Sequence, residues 1–548
     1  MRAIRRKRHY PPWWALLLAP LSLALIAVLA TCTRAAPGGI LLAPPSHGGA
    51  TSQSGLTNGK GGLTSAPAQA VSQSTPVAAS LLAFATPTHP ADAARLTPTP
   101  NPPRVLPTLR SQPKDYVVQA GDTLGKIAQT YNVSLDELVK ANGLVDPNHL
   151  EIGQQLTIPA PSPQAAGSSF KIIPDSELVN SPSSVGFDPL SFVQKRGGYL
   201  SHYQGDADGV TLSGAQIVAN VARDYSVNPR LLLAVLDYQS NWVSSSQPDP
   251  KYNDYPAGLV DATRAGLYKQ LSWTANVLNQ GFYQWQAGSV AAWVLADGSV
   301  VPVSPTINAG TAGVQELFAL LDGRAAWDHA VSSAGVFATY QSLFGYPFDY
   351  TIDPLLPANL AQPAMQLPFE TGVSWFFTGG PHAGWGEGSA WAALDFGPPD
   401  DQTGCFISSA WVTAAAPGLI VRSDQGAVVQ NLQGINNEQT GWTVLYLHIA
   451  SQDRVAAGTT VQAGDRIGHA SCEGGVADAT HMHLARRYNG VWISADRAPD
   501  PAVPGSVPFN LGGWISQGTA TEYDGYLTRH GDQIEAYDGR SPSNTITR

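Results

Sequence analysis

The pattern of hydrophobic and polar positions changes several times along the 548 residues. Between residues 114 and 159, a short apolar strand precedes two stretches with apolar residues at helical spacing, and a second strand follows. Ser134, with Glu137 three residues later, has the form of a capping box at the start of the second helix. The pattern predicts a small α+β module with the order strand, helix, helix, strand.

A helical period replaces this pattern over residues 190–350. Apolar residues recur three and four positions apart over 213–225, and Asn228-Pro229 has the form of a helix start. Further helices are predicted over 273–285 and 313–321. The sequence therefore predicts a mainly α middle domain.

Residues 365–505 are rich in short strands. Two-residue alternation between glycine turns predicts an antiparallel, β-rich domain, with strands that include 411–413, 418–422, 442–450, 465–468 and 482–486. On the predicted strand 442–450, His448 would share a face with Val444 and Tyr446. Residues 506–548 form a C-terminal extension to which we assign no function.

Two segments are predicted to be linkers. Residues 35–112 are rich in Ala, Pro, Ser, Thr and Gly and lack a sustained apolar period, which predicts a disordered spacer. Residues 160–189 are rich in Pro and Ser and are predicted to connect the first two domains. The chain is thus predicted to be multidomain.

The first 34 residues have the composition of an export signal or membrane anchor. A basic run, residues 5–8, precedes an apolar stretch over 13–30 that is long for a signal peptide and marginal for a membrane span. The stretch ends in Leu29-Ala30-Thr31-Cys32, which resembles a lipoprotein signal. A lipid anchor on Cys32, an uncleaved membrane anchor and cleaved secretion all remain open, and each places the rest of the chain outside the cytoplasm.

Charge and cysteine content narrow the function further. The net charge is -10, and an acidic chain without a basic cluster in its folded part argues against nucleic-acid binding. After Cys32, only Cys405 and Cys472 remain. In an exported protein such a pair favours a disulfide, with two buried free thiols as the alternative.

Five polar side chains in the β-rich domain have the types that bind or surround zinc. They are His382 in GGPHAGWGEGS, Asp395 in WAALDF, His448 in VLYLH, and His481 and His483 in THMH. A catalytic zinc site takes three such ligands and keeps one position open for water. Since residues two apart on a strand share a face, His481 and His483 are predicted to point into one site. The types alone leave open which three bind the metal.

The module at residues 114–159 resembles the lysin motif through YVVQAGDTLGKIAQTYNVSLDELVKANGL and LEIGQQLTIP. The resemblance implies binding of N-acetylglucosamine-containing glycans such as peptidoglycan. The middle domain, through YSVNPRLLLAVLDYQSNW, resembles the lysozyme-like lytic transglycosylases. In that family a Glu serves as general acid, and here the position is Gln239, whose amide cannot donate a proton in the same way. We therefore expect a glycan-holding or structural domain.

The β-rich domain resembles the lysostaphin-type metallopeptidases, the beta-lytic and staphylolysin branch in particular. The resemblance rests on TGGPH, WAALDF, and GDRIGHASCEGG before THMH. It implies that His382, Asp395 and His483 are the zinc ligands. It also implies that His448 and His481 are the catalytic pair beside the metal, without deciding which of the two is the general base.

Together these features predict an extracytoplasmic, peptidoglycan-binding zinc endopeptidase of the cell envelope. The lysin motif would bind the glycan, and the zinc domain would hydrolyse amide bonds of the stem peptide or cross-bridge with metal-activated water. Two alternatives remain: a non-enzymatic wall-binding or activator protein, and a glycan-cleaving enzyme that works through the helical domain. The sequence specifies neither the bond that is cut nor the oligomeric state.

Overall fold

The computed structural model describes residues 98–496 and 506–548. The predicted signal or anchor at 1–34, Cys32 and most of the predicted linker at 35–112 lie outside these residues. Within them, every helix is too short or too polar to cross a membrane. Residues 98–112 have no helix or strand before the first strand of the N-terminal module. They are nevertheless not a free spacer, because Asn101 N–H donates to Thr306 O at 2.9 Å.

The N-terminal module has the predicted order. Its elements are β1 (Lys114–Val117), α1 (Leu124–Thr130), α2 (Leu135–Asn142) and β2 (Gln155–Ile158). The capping box of Ser134 and Glu137 is present at the start of α2. The two strands pair in antiparallel fashion. A small core that includes Leu124, Ile127 and Leu138 belongs to this module alone.

The helical region, defined here as residues 170–356, contains the predicted helices. Its elements are α3 (Asp175–Leu178), α4 (Pro189–Arg196), the hairpin of β3 (Gln204–Ala207) and β4 (Val210–Ser213), α5 (Gly214–Tyr225), α6 (Pro229–Ser240), α7 (Leu267–Gln286), the hairpin of β5 (Ala292–Val294) and β6 (Val300–Pro302), α8 (Ala309–Leu321), α9 (Arg324–Ala330) and α10 (Val336–Phe344). Ser213 and Asn228 cap α5 and α6, where the sequence places helix starts.

The linker prediction for residues 160–189 is wrong for most of its length. Ile172, Ile173 and Leu178 are fully buried in the core of the helical region. Glu177 forms a buried ion pair with Arg230 at 2.7 Å. A Pro/Ser-rich composition does not prevent burial when apolar residues lie between the prolines, and these apolar residues bury their side chains against α8 and α6.

The sheet region, residues 365–548, begins with the strands that carry the predicted site. They are β7 (Ser374–His382), β8 (Ala393–Gly397), β9 (Trp411–Thr413), β10 (Gly418–Asp424), β11 (Ala427–Asn431), β12 (Trp442–Leu447), β13 (Thr460–Val461), β14 (Arg466–His469), β15 (Met482–Tyr488) and β16 (Val491–Trp492). The main sheet has the order β13-β10-β11-β12-β15-β8-β7-β21, where β21 is Thr545–Thr547 and β16 lies beside β15. Its pairings are antiparallel, as predicted.

The predicted C-terminal extension is part of this domain. It forms β17 (Asn510–Leu511), β18 (Trp514–Gly518), β19 (Gly525–Arg529), β20 (Asp532–Glu535) and β21 (Thr545–Thr547). Strand β21 adds to the edge of the main sheet beside β7. Phe509, Leu511 and Leu527 are buried in the core beneath the sheet. The boundary predicted at residue 505 therefore does not separate two domains, and a short-range pattern could not indicate this long-range pairing.

The two faces of the main sheet have different partners. Leu394, Tyr446 and Leu484 face the core shared with the C-terminal strands. Ala393 and Ala485, one residue away on the same strands, belong to the core of the helical region. Side chains alternate along a strand, so Asp395 and His483 lie on the face that the helical region covers.

Charged side chains close the edge of this shared interface. Arg422 on β10 pairs with Asp224 of the helical region at 2.7 Å and with Glu438 of the sheet region at 2.7 Å. Arg487 on β15 also pairs with Glu438 at 2.7 Å. The Arg422 and Arg487 side chains are 6% and 2% exposed, so each needs its carboxylate partner.

Candidate metal centre

The structure brings the five predicted polar residues to one place. His382 is the last residue of β7. Asp395 lies on β8 and His483 on β15, directly opposite each other in the strand register. His448 follows the end of β12, and His481 precedes the start of β15.

Three of these side chains converge on a common point. His382 Nε2 lies 3.0 Å from His483 Nδ1 and 3.2 Å from Asp395 Oδ1. His483 Nδ1 lies 3.3 Å from the same oxygen. Ligands about 2.0–2.1 Å from a tetrahedral zinc are about 3.3–3.4 Å from one another, so the triangle has nearly the size that zinc requires. His382, Asp395 and His483 suit a metal ion.

The aspartate oxygen is the third corner of the triangle. Asp395 Oδ1 is buried and forms no hydrogen bond within the described residues, although two imidazole nitrogens lie close to it. An ionised buried oxygen is stabilised by a positive charge beside it, which a protonated imidazole or a metal ion supplies. The opposing position on β7 is Gly379, where an added Cβ would lie 2.7 Å from Asp395 Oδ2. A glycine is therefore required there to leave room for the carboxylate.

Backbone carbonyls fix the two histidine rings of this triangle. His382 Nδ1–H donates to Gly380 O at 2.8 Å, which leaves Nε2 free. His483 Nε2–H donates to Gly384 O at 3.1 Å, which leaves Nδ1 free. Outer hydrogen bonds of this kind set the tautomer of a metal-binding histidine. The free nitrogens are the two atoms that face Asp395 Oδ1.

His448 and His481 form a second pair beside the triangle, with ring centroids 4.5 Å apart. His448 Nδ1 bonds Glu473 O at 3.2 Å, and His481 Nδ1 bonds Ala479 O at 2.8 Å. His481 Nε2 lies 3.7 Å from Asp395 Oδ1. In each ring the Nδ1 atom is thus occupied by the backbone and Nε2 remains free.

The predicted strand position of His448 is wrong. Strand β12 ends at Leu447, and His448 has a left-handed backbone with φ 64°. The alternation of side chains that places Tyr446 in the core shared with the C-terminal strands ends at Leu447. The turn at His448 brings its ring to His481 instead. An uncommon backbone conformation of this kind is not visible in the apolar pattern.

Burial and charge set the protonation of the site. Burial alone would raise the pKa of Asp395, but the charges of His382 and His481 outweigh it and hold the pKa well below its usual range. Burial, together with the charges of His481 and His483, lowers the pKa of His448 to about 3. The site thus contains an ionised carboxylate and a neutral His448.

The predicted disulfide is present between Cys405 and Cys472, with Cα atoms 5.6 Å apart. It joins the segment after β8 to the segment before His481. Nearby, Phe406 N–H donates to Thr480 Oγ1 at 2.8 Å and Thr480 N–H donates to Gly404 O at 3.0 Å. The bridge therefore holds the wall of the site that carries His481.

Tyr523 of the C-terminal strands is a site residue that sequence reasoning missed. Its ring stacks on His382, with centroids 4.3 Å apart and planes inclined by 18°. Neighbouring Glu522 Oε1 accepts from Ala383 N–H at 3.1 Å. Burial raises the pKa of Tyr523 to about 12, so its hydroxyl stays protonated at neutral pH. No spacing rule links these residues to His382, because only the fold of the C-terminal strands brings them together.

Comparison with known families assigns the three parts of the chain. A LysM domain model matches residues 116–159, and a model of the LasA N-terminal domain matches residues 171–358. A model of peptidase family M23 matches residues 402–495. The last match includes His448, His481 and His483, and the geometry adds His382 and Asp395 to the same site. The lysozyme-like resemblance of the middle region stays a prediction.

Among curated proteins, the matches are partial. N-acetylmuramoyl-L-alanine amidase XlyB of Bacillus subtilis (strain 168) is 35% identical over 79 residues, which are 14% of this chain and 25% of that protein. The secreted LysM effector ECP6 of Passalora fulva is 38% identical over 64 residues, which are 11% of this chain and 28% of that protein. The chain thus spans about a quarter of the length of these relatives.

Two solved structures are similar to part of the chain. The M23 metalloprotease pseudoalterin, from the deep sea, is 24% identical and covers 34% of this chain and 99% of its own, with a TM-score of 0.27. The catalytic domain of lysostaphin from Staphylococcus simulans is 19% identical and covers 25% of this chain and 86% of its own, with a TM-score of 0.15. The chain thus combines a segment that matches the LysM domain model with a segment that matches the model of peptidase family M23.

Proposed function

We propose that this protein is an extracytoplasmic zinc endopeptidase that binds peptidoglycan and hydrolyses amide bonds of its stem peptides or cross-bridges. The observation that carries the proposal is the triangle of His382 Nε2, Asp395 Oδ1 and His483 Nδ1, with sides of 3.0–3.3 Å. The triangle includes a buried carboxylate oxygen that has no hydrogen bond. Two imidazoles and one carboxylate with an open fourth position are the donor set of a hydrolytic zinc site.

In this proposal, His382, Asp395 and His483 hold the zinc ion. A zinc ion bound there would lower the pKa of a water molecule to about 7 and polarise a substrate carbonyl. The carbonyl oxygens of Gly380 and Gly384 keep the two imidazole rings in the ligating tautomer. The disulfide and the shared core hold the surrounding walls, so the ligands need little reorganisation.

His448 and His481 are proposed to handle protons and developing charge. Their Nδ1 atoms are bonded to backbone carbonyls, and each Nε2 is available to a water or a substrate oxygen. His448 is neutral, and its Nε2 lone pair is available to accept a hydrogen bond that orients an attacking water. His481, on the Asp395 side of the pair, would donate a hydrogen bond from Nε2 to an oxyanion when both of its ring nitrogens carry a proton.

The N-terminal module is proposed to hold the glycan strands of the same substrate. Its match to the LysM domain family supports this, as does the partial similarity of the chain to an N-acetylmuramoyl-L-alanine amidase. Tethering the peptidase to the polymer raises the local substrate concentration without any new contact at the metal centre. For the residues before 98, we propose export, with a lipid anchor on Cys32, an uncleaved membrane anchor or a cleaved signal.

Digestion of purified peptidoglycan by the full chain, followed by mass spectrometry of the released fragments, tests the proposal. New amine termini are expected, they should disappear with a chelator, and added zinc should restore them. Loss of an outer hydrogen-bond partner costs a metal site about 10–100-fold, so loss of a ligand in His483→Ala is expected to lower the rate by more than about 100-fold.

The same digestion separates the alternatives. Gln239→Ala serves as the matched variant in the helical region and is expected to leave peptide cleavage unchanged. New reducing or anhydro sugar ends, lost in Gln239→Ala and kept in His483→Ala, would instead support a glycan-cleaving enzyme. Bound zinc well below one equivalent, together with no cleavage, would support the non-enzymatic wall-binding or activator protein.

A further inference from the structure

The loop that follows His382 lies against helix α7 of the helical region. Gly388 N–H donates to Asn276 Oδ1 at 2.8 Å. A Cβ added at Gly388 would lie 1.9 Å from Asn276 O, and one added at Gly386 would lie 2.7 Å from Asn276 Oδ1. The loop backbone therefore touches the helix directly, and glycines at both positions are what permit the approach.

The same loop carries the carbonyl that orients a metal-site histidine. Gly384 O accepts the hydrogen bond from His483 Nε2 at 3.1 Å. Gly384 N–H donates to Ala390 O at 3.1 Å, so the two ends of the loop are joined to each other. A movement of the Gly388 end of the loop is thereby transmitted to Gly384 and to the His483 ring.

The other side of Gly384 is also supported by the helical region. A Cβ at Gly384 would lie 2.6 Å from the Trp492 ring. Trp492 N–H in turn donates to Tyr283 Oη on α7 at 2.9 Å. Helix α7 thus contacts the loop directly through Asn276, and it supports Trp492, which packs against Gly384.

From this chain of contacts we infer that Asn276 is a positioning residue for the metal centre, acting through the loop 383–391 on His483. The inference rests on the proposed metal site, and it goes further by making the helical region a structural part of that site. Outer partners of a metal-binding histidine change metal affinity by about 10–100-fold. Asn276 lies one contact further out, so its removal is expected to weaken zinc binding by about tenfold, at the low end of that range.

Asn276→Ala in the full chain tests the inference. Zinc affinity is measured by competition with a chromophoric chelator, and the visible absorption of the cobalt-substituted protein reports the geometry of the ligands. The expected results are a zinc Kd about tenfold higher, altered cobalt bands, and a lower kcat with an unchanged KM. Asn276→Asp keeps the acceptor oxygen for Gly388 N–H and is expected to restore the zinc affinity and the bands.

Gln270→Ala is the matched control on the same helix. Gln270 Nε2 donates to Leu259 O at 2.9 Å within the helical region. Its loss removes a hydrogen bond of α7 that does not involve the loop 383–391. Its zinc Kd and cobalt spectrum are expected to equal those of the wild type, even if the protein melts at a lower temperature.

A second variant covers the case in which Asn276→Ala does not fold. Gly388→Ala forces the loop away from α7 while every side chain of the helix remains, and it should produce the same loss of zinc affinity. Wild-type affinity and cobalt bands in the variants that fold would overturn the inference. A wild-type chain that binds no zinc would instead overturn the proposed function, so the two failures are distinguishable.

Discussion

The N-terminal module and the helical region both contact the following part of the chain, and they do so through different surfaces. The module keeps its own small core, and a hydrogen bond from Gln129 Nε2 to Glu316 Oε1 at 2.8 Å joins it to α8. The helical region instead shares one apolar core with a face of the main sheet. The first attachment is local and polar, whereas the second continues beneath the proposed metal ligands.

This difference separates two tasks. In the proposed function, the N-terminal module needs only to keep the sheet region near the glycan, so a small polar contact is sufficient. The helical region supports β8, β15 and the loop after His382, so its packing and the geometry of the site depend on each other. The LysM domain is thus expected to unfold independently of the rest of the chain. The helical region is expected to unfold together with the sheet region.

The largest effect is expected at the shared core, from Trp492→Ala. Trp492 is 2% exposed and lies between β15 and helix α7, where its backbone N–H bonds Tyr283. Truncation of such a buried Trp costs about 3–5 kcal/mol. Denaturant unfolding should show one cooperative transition for the helical and sheet regions, displaced to a lower midpoint. Two separate transitions would show that the helical and sheet regions unfold independently, which would contradict a shared core.

An intermediate effect is expected where charges cross the same interface. Asp224→Ala removes the ion-pair partner that the helical region provides for Arg422. The Arg422 side chain is 6% exposed, so the loss should lower the free energy of unfolding by about 1–3 kcal/mol. Asp424 lies 3.9 Å from the same guanidinium but is 47% exposed. Asp424→Ala should therefore cost less than about 1 kcal/mol. Equal losses of unfolding free energy for the two variants would contradict a buried interface.

The smallest effect is expected at the contact of the N-terminal module, from Gln129→Ala, which removes one hydrogen bond worth about 1 kcal/mol. Burial raises the pKa of Glu316 from 4.5 to about 7, and the bond from Gln129 opposes that rise. Because the native state then binds more protons than the unfolded state, stability falls as the pH rises from about 4.5 to 7. The loss of stability between pH 5 and pH 8 should be larger in Gln129→Ala than in the wild type, as measured by thermal unfolding at the two pH values. A pH-independent cost as large as that of Trp492→Ala would show that the module is not separable.

Much of the fold follows from local chemistry. The helix starts at Ser134, Ser213 and Asn228 need only a capping side chain and an apolar period, and both are visible in the sequence. The roles of the five polar residues came from family resemblance, and the strand parity of His481 and His483 added support. Their roles in binding and catalysis remain proposals.

What the sequence could not indicate depends on contacts between distant residues. The left-handed backbone of His448 ends a strand that the apolar pattern continues. The stacking of Tyr523 on His382 requires the fold of the C-terminal strands. Likewise, Asn276 meets Gly388 because a helix packs on the ligand-bearing face of the sheet, and nothing near Asn276 in the sequence marks it as unusual.

The place of β21 at the outer edge of β7 has a consequence for biosynthesis. Ile546 pairs with Trp375 on the strand that ends at His382. A ribosome produces β7 long before β21, so a nascent chain carries β7 with one row of unpaired N–H and C=O groups. Such an edge is a template for pairing with other chains, and protection by a chaperone during synthesis would matter most in this interval.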